Sequence, residues 1–496
     1  MSKRAILAHA HLEYWVDVAA KLRDEYGWEI CYFIGQGKHK EKTLKLFPDS
    51  VFHTKSAFRK KLVPDGCEAV VPSPLDKELL SALSVHESIF LKMMDRFSYN
   101  GALTYKERIA TYHSQLMYWK GALEHFKPDV IVYSITPHLG YDYVLYAVSR
   151  MMKIPTVIFE RTSLPGFVYP VTSFEDGSEI IRKTYTEALK KKNGQEISLT
   201  PEVAAHLDNL SKSYDQAMPF HQKYKLKHFK RRGDVGGTAL LLLRIAWNFI
   251  IAHTIKKGNS HYLRKTYYQN RGHLKKRKLL AHYQQLADVV NLEVPYVFVA
   301  LQCEPERQSC PCGGVFTHQY VMIDLLSKLV PEGWKIYVKE HPFQFKVSQM
   351  AERAKTFEFY DMIASIPKVE LVPLNYTSFQ LIECAKASAT VSGTVGWESV
   401  VRGTPTLLFG YSWYRDCKGV FVTHTVEECK KAIRKIKNGY KVNMNEVRCF
   451  AQVVESCSVR GYVDRIYEKM NIISHDENVE NLARAIHECL QFENNV

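Results

Sequence analysis

Two short stretches carry the residue types best suited to chemistry, Lys339-Glu340-His341-Pro342 and Ser392-Gly393-Thr394. Each closes an apolar, strand-like run and opens a helical one. Lys339 and His341 supply donors for a phosphate, or for the negative charge that develops on a leaving group. Pro342 starts a helix at little cost, because its missing N–H would be unpaired in the first turn anyway. In the second stretch Ser392 and Thr394 offer hydroxyl donors, and Gly393 lets a ligand approach the backbone. The helix after it presents free N–H groups and the positive end of its dipole, which favours an anion. Glu398, one turn into that helix, suits a ribose or sugar hydroxyl, and is otherwise a solvated or inter-helix carboxylate. Each stretch alone is weak evidence. Their placement on two strands of one domain makes them a candidate phosphate site.

Candidate acid/base groups lie upstream. Glu160 and Arg161 emerge where the apolar run Pro155–Phe159 ends, a common position for binding or catalytic groups in open α/β sheets. A structural ion pair is the competing reading. His138 and Asp142 sit in the preceding strand-to-helix turn and can converge on the same crevice, although Asp142 equally suits a first-turn helix position. His9 and His11 stand where the first strand gives way to a helix, where they line the cleft or are structural. Glu175-Asp176-Gly177 forms a turn and alternatively an acid/base pair. Gln302 and Glu304 come after the strand-like Tyr296–Leu301 and read as cleft-lining. Glu160 is the expected catalytic carboxylate, with Asp142 and Asp176 behind it.

Eleven cysteines are scattered without repeated spacing. The tight pair Cys310-Pro311-Cys312, with Cys303 and His318 nearby, lacks the paired spacings of a zinc site. Reduced loop thiols are the preferred reading, and no metal is expected. The N-terminus enters a strand pattern without a signal-peptide layout, which predicts a reduced cytosolic setting.

The elements that must position these groups can be read from the apolar pattern. At 496 residues the chain exceeds one ordinary core, so two domains of roughly 200 residues each are expected. Strand-like and helix-like runs alternate from Arg4 to Ile34, from Leu103 to Phe159 and again from Tyr296 to Phe409, as in doubly wound sheets, while Val51–Gly101 shows a mixed pattern. No G-x-G-x-x-G occurs, so no dinucleotide fingerprint is present. The predicted architecture is α/β, two Rossmann-like domains facing a cleft, with a basic helical insertion. Residues 1–179 form the N-terminal acceptor and catalytic domain, 180–290 the insertion and linker, 291–425 the nucleotide-sugar-binding domain, and 426–496 C-terminal helices, the last crossing back to the N-terminal domain.

The formal net charge of +15 points to an anionic partner, and the basic residues concentrate between Lys183 and Lys278. Within that segment the apolar run Ala239–Ile251 is too short to span a membrane and is interrupted by Arg244 and Asn248. Those two residues share one helix face and leave a broad apolar face opposite. A core helix between the domains fits it, as does a helix lying on an anionic membrane surface through residues 223–278. Nucleic acid is the weaker reading, since no zinc-finger or RNP motif accompanies the charge.

Several stretches resemble the bacterial capsular-polysaccharide biosynthesis glycosyltransferases. They are Val338-Lys-Glu-His-Pro342, the run Ser392–Gly410, Ala300–Glu306, Pro137–Tyr146 and Pro155–Thr162. The matched segments span about 130–175 and 296–415, leaving out the insertion and both termini. The resemblance implies a GT-B-like fold and a nucleotide-activated sugar; some members transfer 3-deoxy-manno-octulosonic acid from its CMP form. By that resemblance His341 and Pro342 match the His-Pro motif that contacts the nucleotide in CMP-sugar transferases, and Ser392 and Thr394 match the Ser/Thr loop near its phosphate. Glu175-Asp176-Gly177 is similar to the acidic-Gly motif of bacterial sialyltransferases, in a different chain context.

The expected function is transfer of a sugar, 3-deoxy-manno-octulosonic acid or a related acidic sugar, from a CMP-linked donor to a capsular or other surface polysaccharide or glycolipid. No cofactor is expected beyond that nucleotide-sugar substrate. The expected location is cytoplasmic, peripheral on the inner face of the cytoplasmic membrane. Polyol-phosphate transfer from a cytidine nucleotide, and a non-catalytic membrane-docked role in glycan assembly, are the alternatives.

Overall fold

The computed structural model describes residues 3–54, 66–98, 103–191, 198–212, 275–346, 353–470 and 472–493, with a few isolated positions between 214 and 272. Nearly all of the basic run 223–278 lies outside them; of the apolar stretch Ala239–Ile251 only isolated positions are described, among them the exposed Leu243, Trp247 and Ile250.

The first sheet has seven strands: β1 (Arg4–Ala10), β2 (Glu29–Gly35), β3 (Val51–Thr54), β4 (Val130–Tyr133), β5 (Thr156–Arg161), β6 (Phe167–Val171) and a short β13 (Val459–Arg460). Their order is β13-β6-β5-β4-β1-β2-β3. The strands from β5 to β3 are parallel, whereas β6 runs antiparallel to β5, and β13 antiparallel to β6. Parallel strands covered on both faces read as continuous apolar runs, because alternate residues feed opposite cores. Ile6, Ile131, Tyr133 and Ile158 thus enter one apolar cluster. Leu7, Val130, Val132 and Phe159 enter the other, beneath Leu482 and Ile486 of the C-terminal helix His475–Glu493. That helix packs along Tyr14–Tyr26 of the first unit.

The second sheet is entirely parallel: β7 (Tyr296–Ala300), β8 (Lys335–Lys339), β9 (Val369–Leu371), β10 (Ala387–Thr390), β11 (Thr406–Leu408) and β12 (Val420–Val422). Its order is β12-β11-β10-β7-β8-β9. Counted from β7, this is the doubly wound order 3-2-1-4-5-6, in which the connections reverse between the first and fourth strands and open a crevice at their carboxyl ends. The same reversal separates β1 from β4 in the first sheet. The α/β class and the paired Rossmann-like sheets agree with the sequence reading. The strand β13 does not, because the chain beyond Val426 reads as helices alone.

Each reversal opens a crevice, one beside Gln302 and Ser392–Thr394, the other beside His9 and Ser134–His138.

Candidate functional site

The loops at the ends of β8 and β10 meet. Lys339, His341 and Pro342 from one, and Gly393, Thr394 and Glu398 from the other, line a small pocket of about 70 Å³ together with Gln302. Gln302, His341, Thr394 and Glu398 also border a larger cavity of about 690 Å³ between the two sheets. The small pocket and the inter-sheet cavity thus share these four walls.

His341 has a fixed tautomer. Its Nδ1 accepts from the Phe343 N–H at 3.1 Å, so the neutral ring carries its proton on Nε2. Its own N–H donates to Glu340 Oε1 at 2.7 Å. Lys339 is buried in the pocket wall. Gly393 is required by space, since a Cβ there would collide with Gln302 Nε2. Gln302 is itself anchored, donating to Thr390 Oγ1 at 2.8 Å, while its N–H donates to Gln319 Oε1 at 2.7 Å.

The two hydroxyls of the second loop are engaged. Ser392 Oγ donates to the Gln308 carbonyl at 2.5 Å, with Gln308 Oε1 at 2.9 Å. Thr394 Oγ1 donates to Glu398 Oε1 at 2.9 Å. Burial pushes the Glu398 carboxyl up, and the Thr394 hydroxyl partly offsets it. A ligand phosphate would have to exchange with the Thr394–Glu398 bond, whereas Ser392 acts through the Gln308 loop.

Across the cavity the first sheet presents imidazoles. His9, His11 and His138 border it. His9 has φ of +58° at an irregularity in the β1–β2 register, between Leu7 and Ala10. Such a conformation in a non-glycine residue is uncommon and re-aims the side chain. The His9 carbonyl accepts from Ser134 Oγ at 2.7 Å, which ties the ends of β1 and β4 together. Asp142 Oδ1 accepts from the N–H groups of Leu139 and Tyr143 at 2.6 and 2.8 Å, and its Oδ2 stands 3.7 Å from His9 Nδ1. Burial raises the Asp142 carboxyl to about 6, against the pull of those N–H groups and of Arg96. His138 Nδ1 donates to the Thr136 carbonyl at 2.8 Å, leaving Nε2 as its acceptor nitrogen in the neutral ring. His9, His138 and Asp142 are also the one group among the described residues with side-chain atoms spaced to hold a metal ion.

The other predicted groups fall elsewhere. Glu160 is absent from the cavity wall. Thr136 Oγ1 donates to it, and Arg307 from the second domain lies 3.8 Å from its Oε2 while donating to Thr136 Oγ1 at 2.9 Å. Arg161 does border the cavity, but its guanidinium is paired with Asp464 and lies 5.0 Å from the Tyr467 ring centroid. Asp176 does not reach the cavity. It is largely exposed beside Arg150 at 3.5 Å, and the Glu175 carbonyl accepts from Arg415 of the second domain. Glu175-Asp176-Gly177 is therefore an inter-domain turn, with Gly177 at φ +72°.

Glu304 is buried under the cavity wall rather than in it. Burial opposes its charge, but Lys355 at 3.5 Å and Lys92 at 2.9 Å win and hold the carboxyl down to about 2. Lys92 belongs to the first domain, and Lys355 also reaches Glu340 at 3.4 Å. Burial, by contrast, raises Glu340. The residues that sequence reasoning missed, Arg96, Arg307, Trp397, Trp413, Asp464 and Arg465, all border the cavity. Arg307 and Trp397 carried a signal, the first standing next to Glu306 in a loop already singled out, the second between Thr394 and Glu398 in the run Ser392–Gly410.

Residues 238–455 match the family model of the capsule polysaccharide biosynthesis proteins. No curated protein matches the chain. Among solved structures, a β-Kdo 2,7-transferase, KpsC of Thermosulfurimonas dismutans, is 10% identical, with 79% of this chain and 95% of that chain covered and a TM-score of 0.28. The β-Kdo 2,4-transferase of the same organism is 14% identical over 66% and 79%, with a TM-score of 0.27. The UDP-GlcNAc 2-epimerase of Methanocaldococcus jannaschii, in complex with UDP-GlcNAc and UDP, is 14% identical over 92% and 100%, with a TM-score of 0.23.

Proposed function

Because residues 238–455 match the capsule polysaccharide biosynthesis family, we propose that this chain is a glycosyltransferase. It moves a sugar from a CMP-linked donor onto a capsular polysaccharide or glycolipid acceptor. The observation that carries this reading is the meeting of the Lys339–Pro342 and Gly393–Thr394 loops on one pocket that opens into a cavity walled opposite by His9 and His138.

The chemistry divides between the two walls. The acceptor hydroxyl attacks the anomeric carbon; the bond from that carbon to the phosphate oxygen breaks, and the nucleotide leaves with both bonding electrons. His341 Nε2–H and Lys339 meet the charge on the departing phosphate. The acceptor proton passes to His9 Nε2. Asp142 Oδ2 faces His9 Nδ1, selects the tautomer that leaves Nε2 as the base, and stabilises the imidazolium that forms. The 3.7 Å separation is the long contact expected before substrate tightens such a pair. The base role expected of Glu160 thus passes to His9, since Glu160 is held by Thr136 and Arg307.

No helix among the described residues is long and apolar enough to cross a membrane. We place the protein at the cytoplasmic membrane face through the basic segment 223–278. Reversing the charges of Lys256, Lys257 and Lys275–Lys278 should weaken sedimentation with anionic phosphatidylglycerol vesicles; unchanged sedimentation would remove this part of the reading. Transfer itself is tested by incubating the chain with CMP-3-deoxy-manno-octulosonate and a capsular oligosaccharide. Release of CMP with a lengthened glycan is expected; release of CMP only when a CDP-linked polyol replaces that donor, with a phosphodiester-linked product, would instead indicate polyol-phosphate transfer.

A further inference from the structure

The surplus positive charge of the chain sits in a single segment. Residues 223–278 hold sixteen lysines and arginines against one acid, Asp234, which gives +15, the formal net charge of the whole chain; the rest is electrically balanced. Within this segment the described positions of the apolar stretch Ala239–Ile251 are Leu243, Ala246, Trp247 and Ile250, and all four are helical and exposed. Their spacing from Leu243, at i+3, i+4 and i+7, puts them on one face of a helix. Leu243, Trp247 and Ile250 are 65%, 63% and 52% exposed, so the stripe faces away from the apolar clusters of both domains. A contiguous exposed stripe of large apolar side chains marks an interaction surface, unlike apolar residues scattered singly.

Charge decides what covers it. A second copy of this chain would bring the same basic segment against the first, and the two would repel. Nucleic acid or an acidic glycan complements the charge but offers no continuous apolar layer to Leu243 and Ile250. An anionic phospholipid bilayer supplies both partners, headgroups for the lysines and arginines and acyl chains beneath them, with an interface that favours Trp. Both ends of the segment are fastened beside the donor pocket. At one end the Leu210 and Lys212 carbonyls accept from Arg402, the residue that closes helix Val395–Val401, at 2.8 and 3.0 Å. At the other, beyond the exposed Arg277 and Lys278, Tyr283 Oη donates to the Val372 carbonyl at 2.6 Å and accepts from the Glu340 N–H at 3.1 Å, in the Lys339–Pro342 loop. A docked segment therefore holds the donor pocket near the bilayer.

We infer that Leu243, Ala246, Trp247 and Ile250 form an anchor that lies in the plane of an anionic bilayer. The stripe sinks about 5–10 Å to the boundary of headgroups and acyl chains, while the basic residues on either side of it pair with lipid phosphates. The inference rests on the placement of the chain at a membrane face and sharpens it, because the apolar stripe enters the lipid and charge alone does not hold the chain there.

The test mixes the full chain with vesicles of phosphatidylglycerol and phosphatidylcholine, the latter brominated along its acyl chains so that it quenches an indole that enters the lipid. The chain should sediment with the vesicles and lose tryptophan fluorescence. Trp247→Phe, which keeps an apolar side chain, should sediment equally but lose most of the quenching. The double variant Leu243→Ser with Ile250→Ser should weaken sedimentation by about tenfold or more. Its urea midpoint should be unchanged, because both positions are exposed. Sedimentation without quenching that depends on Trp247, or sedimentation unaltered in the double variant, would overturn the anchor and leave a chain held at the surface by charge alone. Failure of the unsubstituted chain to sediment would overturn the anchor and the membrane placement together. Self-association of the chain that the double variant disperses would give the stripe to a second copy and overturn the anchor. None of these readouts involves nucleotide binding or transfer, so the glycosyltransferase reading stands or falls separately.

Discussion

His9 combines a left-handed backbone conformation, a place at the cavity wall and a carboxylate aimed at its ring. Conformations of this kind persist where the surroundings enforce them, commonly at functional sites. His9→Ala should lower the transfer rate by about 10²–10⁴-fold, the range for removing a general base, with CMP affinity within twofold in calorimetry. Asp142 supports the imidazolium only when ionised. Its carboxyl is raised to about 6, so the transfer rate should fall as pH drops through that value, and Asp142→Asn should lower the plateau rate and displace this limb without abolishing it, because the His9 base still takes up a proton in acid. Gly393 tests the other wall: Gly393→Ala should cost about 1–3 kcal/mol through collision with Gln302. Urea unfolding would read this cost, and a Gln302→Ala background should relieve it. The candidate donor residues were legible in the sequence because each sits at a strand end beside its own neighbours. The placement of Glu160 off the cavity wall was not legible, because its partner Arg307 comes from the other domain and no local pattern announces that contact.

The strand orders place both crevices where connections reverse, and the apolar alternation in sequence was enough to anticipate the two sheets. What it could not anticipate was long-range pairing. The two-residue β13, lying between helices, joins the first sheet by pairing with β6 and brings Asp464 to the cavity rim. Equally hidden was the ion network that fastens the strand ends together, Lys92 of the first domain to Glu304 of the second and on to Lys355 and Glu340. Glu304 is depressed to about 2 from an ordinary 4.5, so it adds stability at pH above its unfolded value, and that stability is lost as pH falls from about 4.5 toward 2. Urea midpoints measured across that window should decline, and Glu304→Gln should flatten the decline. Lys92→Met removes one partner from a buried pair and should cost about 3–5 kcal/mol at neutral pH.

For the molecule as a whole, two sheets with matching reversals face each other across a cavity, and the proposed function assigns one wall to the donor and the other to the acceptor. The net charge of +15 suits an anionic nucleotide donor at its centre and an anionic surface around it. The proposed function turns on the pocket shared by Lys339, His341, Thr394 and Gln302 being a cytidine-nucleotide phosphate site. Calorimetric titration of the full chain with CMP, CDP, UDP and GDP, repeated on His341→Ala, puts that pocket to the test. CMP should bind, UDP and GDP should bind more weakly, and His341→Ala should weaken CMP by about tenfold or more, the loss of roughly 1.4 kcal/mol expected for one charge-assisted hydrogen bond. Absence of binding by any of the four nucleotides, or CMP affinity unchanged in His341→Ala, would refute the donor site.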